Sequence, residues 1–141
     1  MKRREFITLL GSAGAALPLA ARAQQSERIR RIATLTGIAN EEGGQERITI
    51  FVQTLAQLGW IVGRNARIES RWGGGDAGVI RKHAAELVAL APDVIMATGG
   101  AAVGQLLQIT RTVPIVFTIV PDPVGSGFVN SLAGKSRRIC R

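Results

Sequence analysis

The chain is poor in the side chains that disulfides, metal sites and nucleophilic active sites require. Its 141 residues include one cysteine, Cys140, and one histidine, His83. A single cysteine offers no disulfide framework, and these two residues do not have the spacing of a metal site. A lone histidine on a predicted helix, in a sequence without a G-x-S-x-G motif, leaves no plausible catalytic triad. The sequence therefore predicts no metal ion and no catalytic residue.

Nucleotide-binding motifs are also missing, although two glycine-rich segments follow predicted strands. These are GIANEEGG after residue 36 and ATGGAAVG at residues 97–104. Neither contains G-x-G-x-x-G or G-x-x-x-x-G-K-[ST], so no nucleotide cofactor is predicted. The second segment opens a predicted helix, whose first N–H groups favour an anionic group such as a carboxylate. The alternative is a glycine turn that serves chain geometry alone.

The positive charge lies outside the body of the chain. Of the net charge of +8, residues 1–23 carry +3 and residues 134–141 carry +4, which leaves +1 for residues 24–133. A nucleic-acid-binding surface requires basic residues clustered on a folded face, together with a recognition motif. No such motif is present, so no nucleic-acid partner is predicted.

The first residues, MKRREFITLLGSAGAALPLAARAQQ, predict a signal peptide. A basic start precedes an apolar stretch that is too short and too weakly apolar for a transmembrane helix. The small residues of Ala-Arg-Ala place cleavage between Ala23 and Gln24, so the signal peptide would span residues 1–23. Arg3 and Arg4 before Glu-Phe-Ile resemble the twin-arginine export motif. The predicted location is the periplasm.

Strands and helices alternate through the body. Apolar runs or strict alternation predict strands at residues 31–36, 66–72, 94–98 and 114–120, and apolar residues at three- and four-residue spacing predict three intervening helices. Gly59 is expected to follow the first helix, and Asp76 to cap the second. The pattern predicts an α/β fold with a doubly wound parallel sheet in the order 2-1-3-4. Ligands would bind at the carboxyl ends of the first and third strands, where Thr98 and the following amides are expected to face an open cleft.

Several short motifs, in order, resemble the substrate-binding proteins of ABC transporters, in the group related to tryptophan- and tyrosine-binding components. They include RREFITLLG, RIATLTG, LGW followed by GRN, AAELVALAPDVI, ATGG, VPIVF and DPVGSGFVNSLA, from Met1 to about Ala133.

This resemblance implies the amino-terminal lobe, residues 24–133, of a periplasmic binding protein of type I. Such a receptor has no cofactor, captures a small solute such as an amino acid, and delivers it to an ABC permease. The family's ligand-binding loops match Gly37, Ile38, Thr98, Gly99, Gly100, Ala101, Val120 and Asp122.

The sequence departs from the family at residues 134–141, GKSRRICR, where family members continue into a second lobe. We expect this basic tail to reflect truncation. The product would be a monomer that binds the family's ligand weakly or not at all, because one lobe supplies half of the contacts.

Two other classes stay open at this stage. An exported enzyme of doubly wound fold would need a nucleophile and a base, for which the chain offers only a lone acid, Asp122, in an Asp-Pro turn. A sugar-sensing regulator would need a DNA-binding headpiece where the predicted signal peptide stands.

Overall fold

The computed structural model describes residues 28–39 and 43–131. The predicted signal peptide and the basic tail lie outside these residues. The elements, in chain order, are β1 (Arg30–Thr36), α1 (Gly44–Gln57), β2 (Ala66–Trp72), α2 (Ala77–Ala89), β3 (Val94–Thr98), α3 (Gly100–Ile109) and β4 (Ile115–Thr118). Within the described residues, no helix is long and apolar enough to cross a membrane.

The four strands form one parallel sheet in the order β2-β1-β3-β4. The predicted fold class and strand order are therefore confirmed. The central strand β3 is apolar up to Ala97, and β1 is buried from Ile32 to Thr36, although it begins with two arginines. On the edge strand β2, Arg67, Glu69 and Arg71 alternate with less polar residues, as the sequence pattern predicts.

One face of the sheet carries α2 and α3 and holds the buried core. Leu35 of β1 and Ile95 of β3 are fully buried there against Leu87 of α2 and Leu106 of α3. The side chain of Asp76 accepts a hydrogen bond from the Val79 N–H at 2.8 Å, which confirms the predicted cap of α2. These contacts hold both helices at a fixed position above the strands.

The opposite face carries α1 alone among the described helices. Trp72 of β2 packs against Gly44 at the start of α1, and Thr34 donates a hydrogen bond to Ser70 at 2.8 Å. The apolar residues of α1 are half-buried or exposed, and Phe51, which the sequence pattern assigns to the core, is half-buried. Val116 of β4 lies on this face and is 55% exposed. This face is therefore much less completely covered than the face under α2 and α3.

The fourth strand ends two residues earlier than its apolar run predicts. It stops at Thr118 because Ile119 adopts a positive φ of 54°, which turns the chain out of the extended conformation. The following segment returns over α3, where Phe128 lies beside Gly100 and Val129 is 4% exposed. This return places residues 119–131 next to the carboxyl ends of the strands.

At the amino ends of the strands, Asp93 holds the start of β1. Its carboxylate accepts hydrogen bonds from the Arg31 backbone N–H at 2.9 Å, from Arg30 at 3.2 Å and from Arg28 at 3.1 Å. The Arg31 N–H and the two guanidinium groups lower the pKa of Asp93 below its ordinary value of 3.8, although partial burial opposes them. The charged form is thus favoured by the folded state.

Asp93→Asn should lower the free energy of unfolding by about 1 kcal/mol at neutral pH, since the charged acceptor of three donors is lost. A carboxyl group whose pKa is lowered by folding stabilises the folded state at pH values above its ordinary pKa. This contribution is lost as the pH falls through the pKa of the folded state. The difference between wild type and variant should therefore shrink below about pH 4. Urea denaturation from pH 7 to pH 2.5 tests this, and a difference that is constant with pH would contradict it.

Candidate functional site

The predicted ligand-binding residues lie at the carboxyl edge of the sheet, where β1 and β3 are neighbours. After β1 the chain crosses to β2 on one side, and after β3 it crosses to β4 on the other, so this edge is the switch point of the sheet. The N–H of Gly37 donates to the carbonyl of Thr98 at 2.8 Å. The loops that follow the two central strands are thereby joined.

Glycines allow these two loops to approach closely. A Cβ at Gly37 would lie 2.9 Å from the backbone nitrogen of Ala102, and a Cβ at Gly99 would lie 2.9 Å from Cγ2 of Ile38. Gly99 also has a φ of 89°, which side-chain-bearing residues rarely adopt. Both glycines therefore have a structural role in joining β1 to the start of α3, whatever else they contact.

The edge is less open than the sequence led us to expect. Thr98 is 7% exposed, and its hydroxyl lies 3.2 Å from the hydroxyl of Thr118, so that the two share a hydrogen bond. The N–H of Gly99 is not free, because it donates to the carbonyl of Thr118 at 3.0 Å. Gly100 is half-buried and Ala101 is exposed. The accessible groups are thus Thr118, Ala101 and part of Gly100, whereas Ala102 and Val103 in the same turn of α3 are fully buried.

The start of α3 differs from that of α2 because no side chain caps it. The first N–H groups of any α-helix have no partner within the helix and attract negative charge. In α2 the Asp76 carboxylate occupies this position. At the start of α3, the Val103 N–H donates to the Gly99 carbonyl, and Ala102 is buried under Gly37. The N–H groups of Gly100 and Ala101 are therefore the ones that could meet an external acceptor.

The third group of predicted residues follows β4. Val120 is half-buried and packs against the core, whereas Asp122 is exposed. One carboxylate oxygen of Asp122 accepts a hydrogen bond from the Gly125 N–H at 2.8 Å, in a tight turn. The structure joins the loops after β1 and β3 directly, but it shows Asp122 engaged in its own turn.

A row of threonines across this edge was missed by the sequence reasoning. Thr36, Thr98 and Thr118 are paired in register at the ends of β1, β3 and β4. Each of these strands ends in threonine, which is visible in the sequence. Their alignment depends on the strand register, which the sequence pattern does not fix.

Two cavities lie away from this edge, towards the amino ends of the strands. One of about 220 Å³ is bounded by Arg31, Arg67 and Glu69. The other, of about 350 Å³, is bounded by Trp60 and Leu55. Neither includes a predicted ligand-binding residue. Among residues 28–39 and 43–131, no group of three or more His, Cys, Asp or Glu side chains could hold a metal ion.

The geometry defines an α/β domain like those of periplasmic binding proteins, and comparisons with solved structures agree. One similar structure is a conserved domain protein from Vibrio cholerae, with 26% identity and a TM-score of 0.68. Another is the ligand-free, open structure of a substrate binding protein with adhesive properties from Clostridium difficile, with 24% identity and a TM-score of 0.67. A third is an ABC domain in complex with L-Trp from Streptococcus pneumoniae, with 22% identity and a TM-score of 0.64.

Each similarity covers 74% of this chain and 35% of the other chain, so this chain spans about a third of the length of the proteins it resembles. The expected resemblance to substrate-binding proteins of ABC transporters is confirmed at the level of the fold. No model of a protein family matches the sequence, and a search of curated proteins finds no match.

Proposed function

We propose that this chain is the solute-binding lobe of an ABC-transporter substrate-binding protein. The observation that carries the proposal is the switch point of the sheet, which bears an uncapped helix start and paired threonine hydroxyls. The domain around it has the fold of proteins described as a substrate binding protein and as an ABC domain bound to L-Trp. Binding rather than catalysis is the proposed activity.

The groups at this edge favour a solute with a carboxylate, such as an amino acid. The N–H groups of Gly100 and Ala101 at the start of α3 would receive the carboxylate, as helix starts do for anions. The exposed hydroxyl of Thr118, which shares a hydrogen bond with that of the buried Thr98, would donate or accept a further hydrogen bond. The loop residues Gly37, Ile38, Gly99, Gly100, Ala101, Val120 and Asp122 would form the surrounding wall. The L-Trp complex of the pneumococcal domain supports an amino-acid ligand.

The cellular setting is part of the same proposal. The basic start, apolar stretch and Ala-Arg-Ala of the first residues support export to the periplasm by the twin-arginine route. There the bound solute would be delivered to a membrane permease for import. The described residues supply one wall of the binding site, so we expect this chain to bind with a Kd of about 1 mM or weaker, which corresponds to about −4 kcal/mol.

An NMR titration of the full chain with L-tryptophan, L-leucine and L-serine tests this proposal. We expect amide shifts at Ala101 and Thr118 with at least one of these amino acids. Thr118→Val removes the exposed hydroxyl with little change of shape and should raise the Kd about fivefold, as loss of one hydrogen bond does. The absence of amide shifts with all three amino acids at about 10 mM would contradict the proposal.

Thr34→Val is the matched control. Thr34 of β1 lies on the same face of the sheet as Thr98 and Thr118, but further from the carboxyl edge. It is 1% exposed, and its hydroxyl donates a hydrogen bond of 2.8 Å to Ser70. Its loss should lower stability without changing the Kd. If both variants changed the Kd equally, the effect of Thr118→Val would be due to altered stability of the sheet rather than to a lost ligand contact.

A further inference from the structure

Ile119, directly after β4, has a backbone conformation that isoleucine rarely adopts. Its φ of 54° lies in the left-handed region, where a β-branched side chain meets steric hindrance. Ala91 is the other non-glycine residue with a positive φ among those described, and it follows the end of α2. Helices commonly terminate in this conformation. Ile119 follows a strand, so it lacks that explanation.

The backbone requires a sharp turn at residue 119, but it does not require isoleucine. The carbonyl of Thr118 is held by the Gly99 N–H at 3.0 Å, and the chain must then return over α3 to bring Phe128 beside Gly100. Glycine would make such a turn without steric hindrance. The identity of the side chain at this position is therefore not explained by the path of the chain.

The side chain of Ile119 is not explained by burial either. Ile119 is 56% exposed, whereas its neighbour Val120 packs against the core. An aliphatic side chain that stays in water contributes little to folding. Ile119 thus combines a strained backbone with a mostly exposed apolar side chain.

We propose that Ile119 is a specificity-determining contact for the solute and that it selects solutes with an apolar side chain. This inference rests on the proposed function. Ile119 directly follows Thr118, whose hydroxyl pairs with that of Thr98, so an exposed apolar residue adjoins the proposed polar site. A solute with a polar end and a compact apolar group would cover Ile119 and remove it from water. Strain of this kind is concentrated at functional sites.

The test compares the full chain with Ile119→Asn, since asparagine tolerates the left-handed conformation but lacks the apolar side chain. In NMR titrations, the Kd of wild type for L-leucine should be about fivefold lower than its Kd for L-serine. For the variant, the two Kd values should differ by less than about twofold. The Tm of Ile119→Asn should equal or exceed that of wild type, because the side chain is exposed and the strain is reduced. Ile50→Asn is the control, because Ile50 is 55% exposed on α1.

The outcomes separate this inference from the proposed function. If wild type binds and Ile119→Asn keeps the preference for L-leucine, the role of Ile119 is overturned while solute binding stands. If wild type binds none of the amino acids, the proposed function fails and the role of Ile119 fails with it. A Tm of Ile119→Asn lower than wild type by more than about 5 °C would show a structural role instead, and would overturn the inference. An equal loss of preference in Ile50→Asn would also overturn it.

Discussion

Leu35→Ala should lower the free energy of unfolding by about 3 kcal/mol, since truncation of a buried leucine removes apolar contacts and leaves a cavity. Leu35 lies in the central strand β1, is fully buried, and packs in the cluster formed with α2 and α3. Domains of this size have total stabilities of about 5–15 kcal/mol, so the loss is a large fraction. Urea denaturation followed by circular dichroism measures it.

Val116→Ala on β4 provides the comparison from the other face of the sheet. Val116 is 55% exposed and lies on the face that carries α1. Its truncation should change the free energy of unfolding by no more than about 0.5 kcal/mol. A loss at Val116 as large as that at Leu35 would contradict the difference in burial between the two faces.

The strand order and most element positions could be predicted because local patterns are strong where burial is complete. Residues 66–72 and 94–98 were predicted as strands, and the structure has the same bounds. Asp76 was predicted as the cap of α2, and its side chain accepts the expected hydrogen bond. Right-handed crossovers then restrict the topology to few arrangements, of which 2-1-3-4 is the one observed.

The end of β4 could not be predicted, because no turn residue marks it. The run from Ile115 to Val120 consists of residues with high strand propensity. The strand nevertheless ends at Thr118, where long-range contacts take over: the Gly99 N–H binds the Thr118 carbonyl and Phe128 packs beside α3. Such contacts depend on positions distant in sequence, which periodicity does not reveal.

Less of the candidate site is open to solvent than the sequence predicts, again because contacts between distant positions decide the packing. The glycines of ATGGAAVG predict an exposed turn, and no sequence pattern indicates that Ile38 packs against Gly99. Thr98 ends a strand, and its burial follows from its register with Thr118. The meeting of the loops after β1 and β3 at the switch point is a property of the topology, which the sequence pattern predicts. Which of its groups reach solvent depends on side-chain packing and was not.

Gly37→Ala should lower the free energy of unfolding by about 2 kcal/mol, because the added methyl group overfills a closely packed contact. Its Cβ would lie 2.9 Å from the backbone nitrogen of Ala102 and 3.1 Å from the Ala102 Cβ. A helix backbone cannot rotate away as a flexible side chain does, so the start of α3 must move from β1. We expect the amide signals of Gly99 and Ala101 to shift in NMR spectra, together with a lower midpoint in urea denaturation.

Gly104→Ala is the matched control, since it makes the same substitution within α3. A Cβ at Gly104 would lie 3.9 Å from the ring of Phe128, which is ordinary van der Waals contact. Alanine is favoured over glycine inside a helix by roughly 0.5–1 kcal/mol, so this variant should be more stable than wild type. If Gly37→Ala lowers the free energy of unfolding and Gly104→Ala raises it, the strain lies at the contact between Gly37 and Ala102. A loss of stability in both would instead indicate that α3 has no space for added methyl groups anywhere along its length, and would contradict a specific role for Gly37.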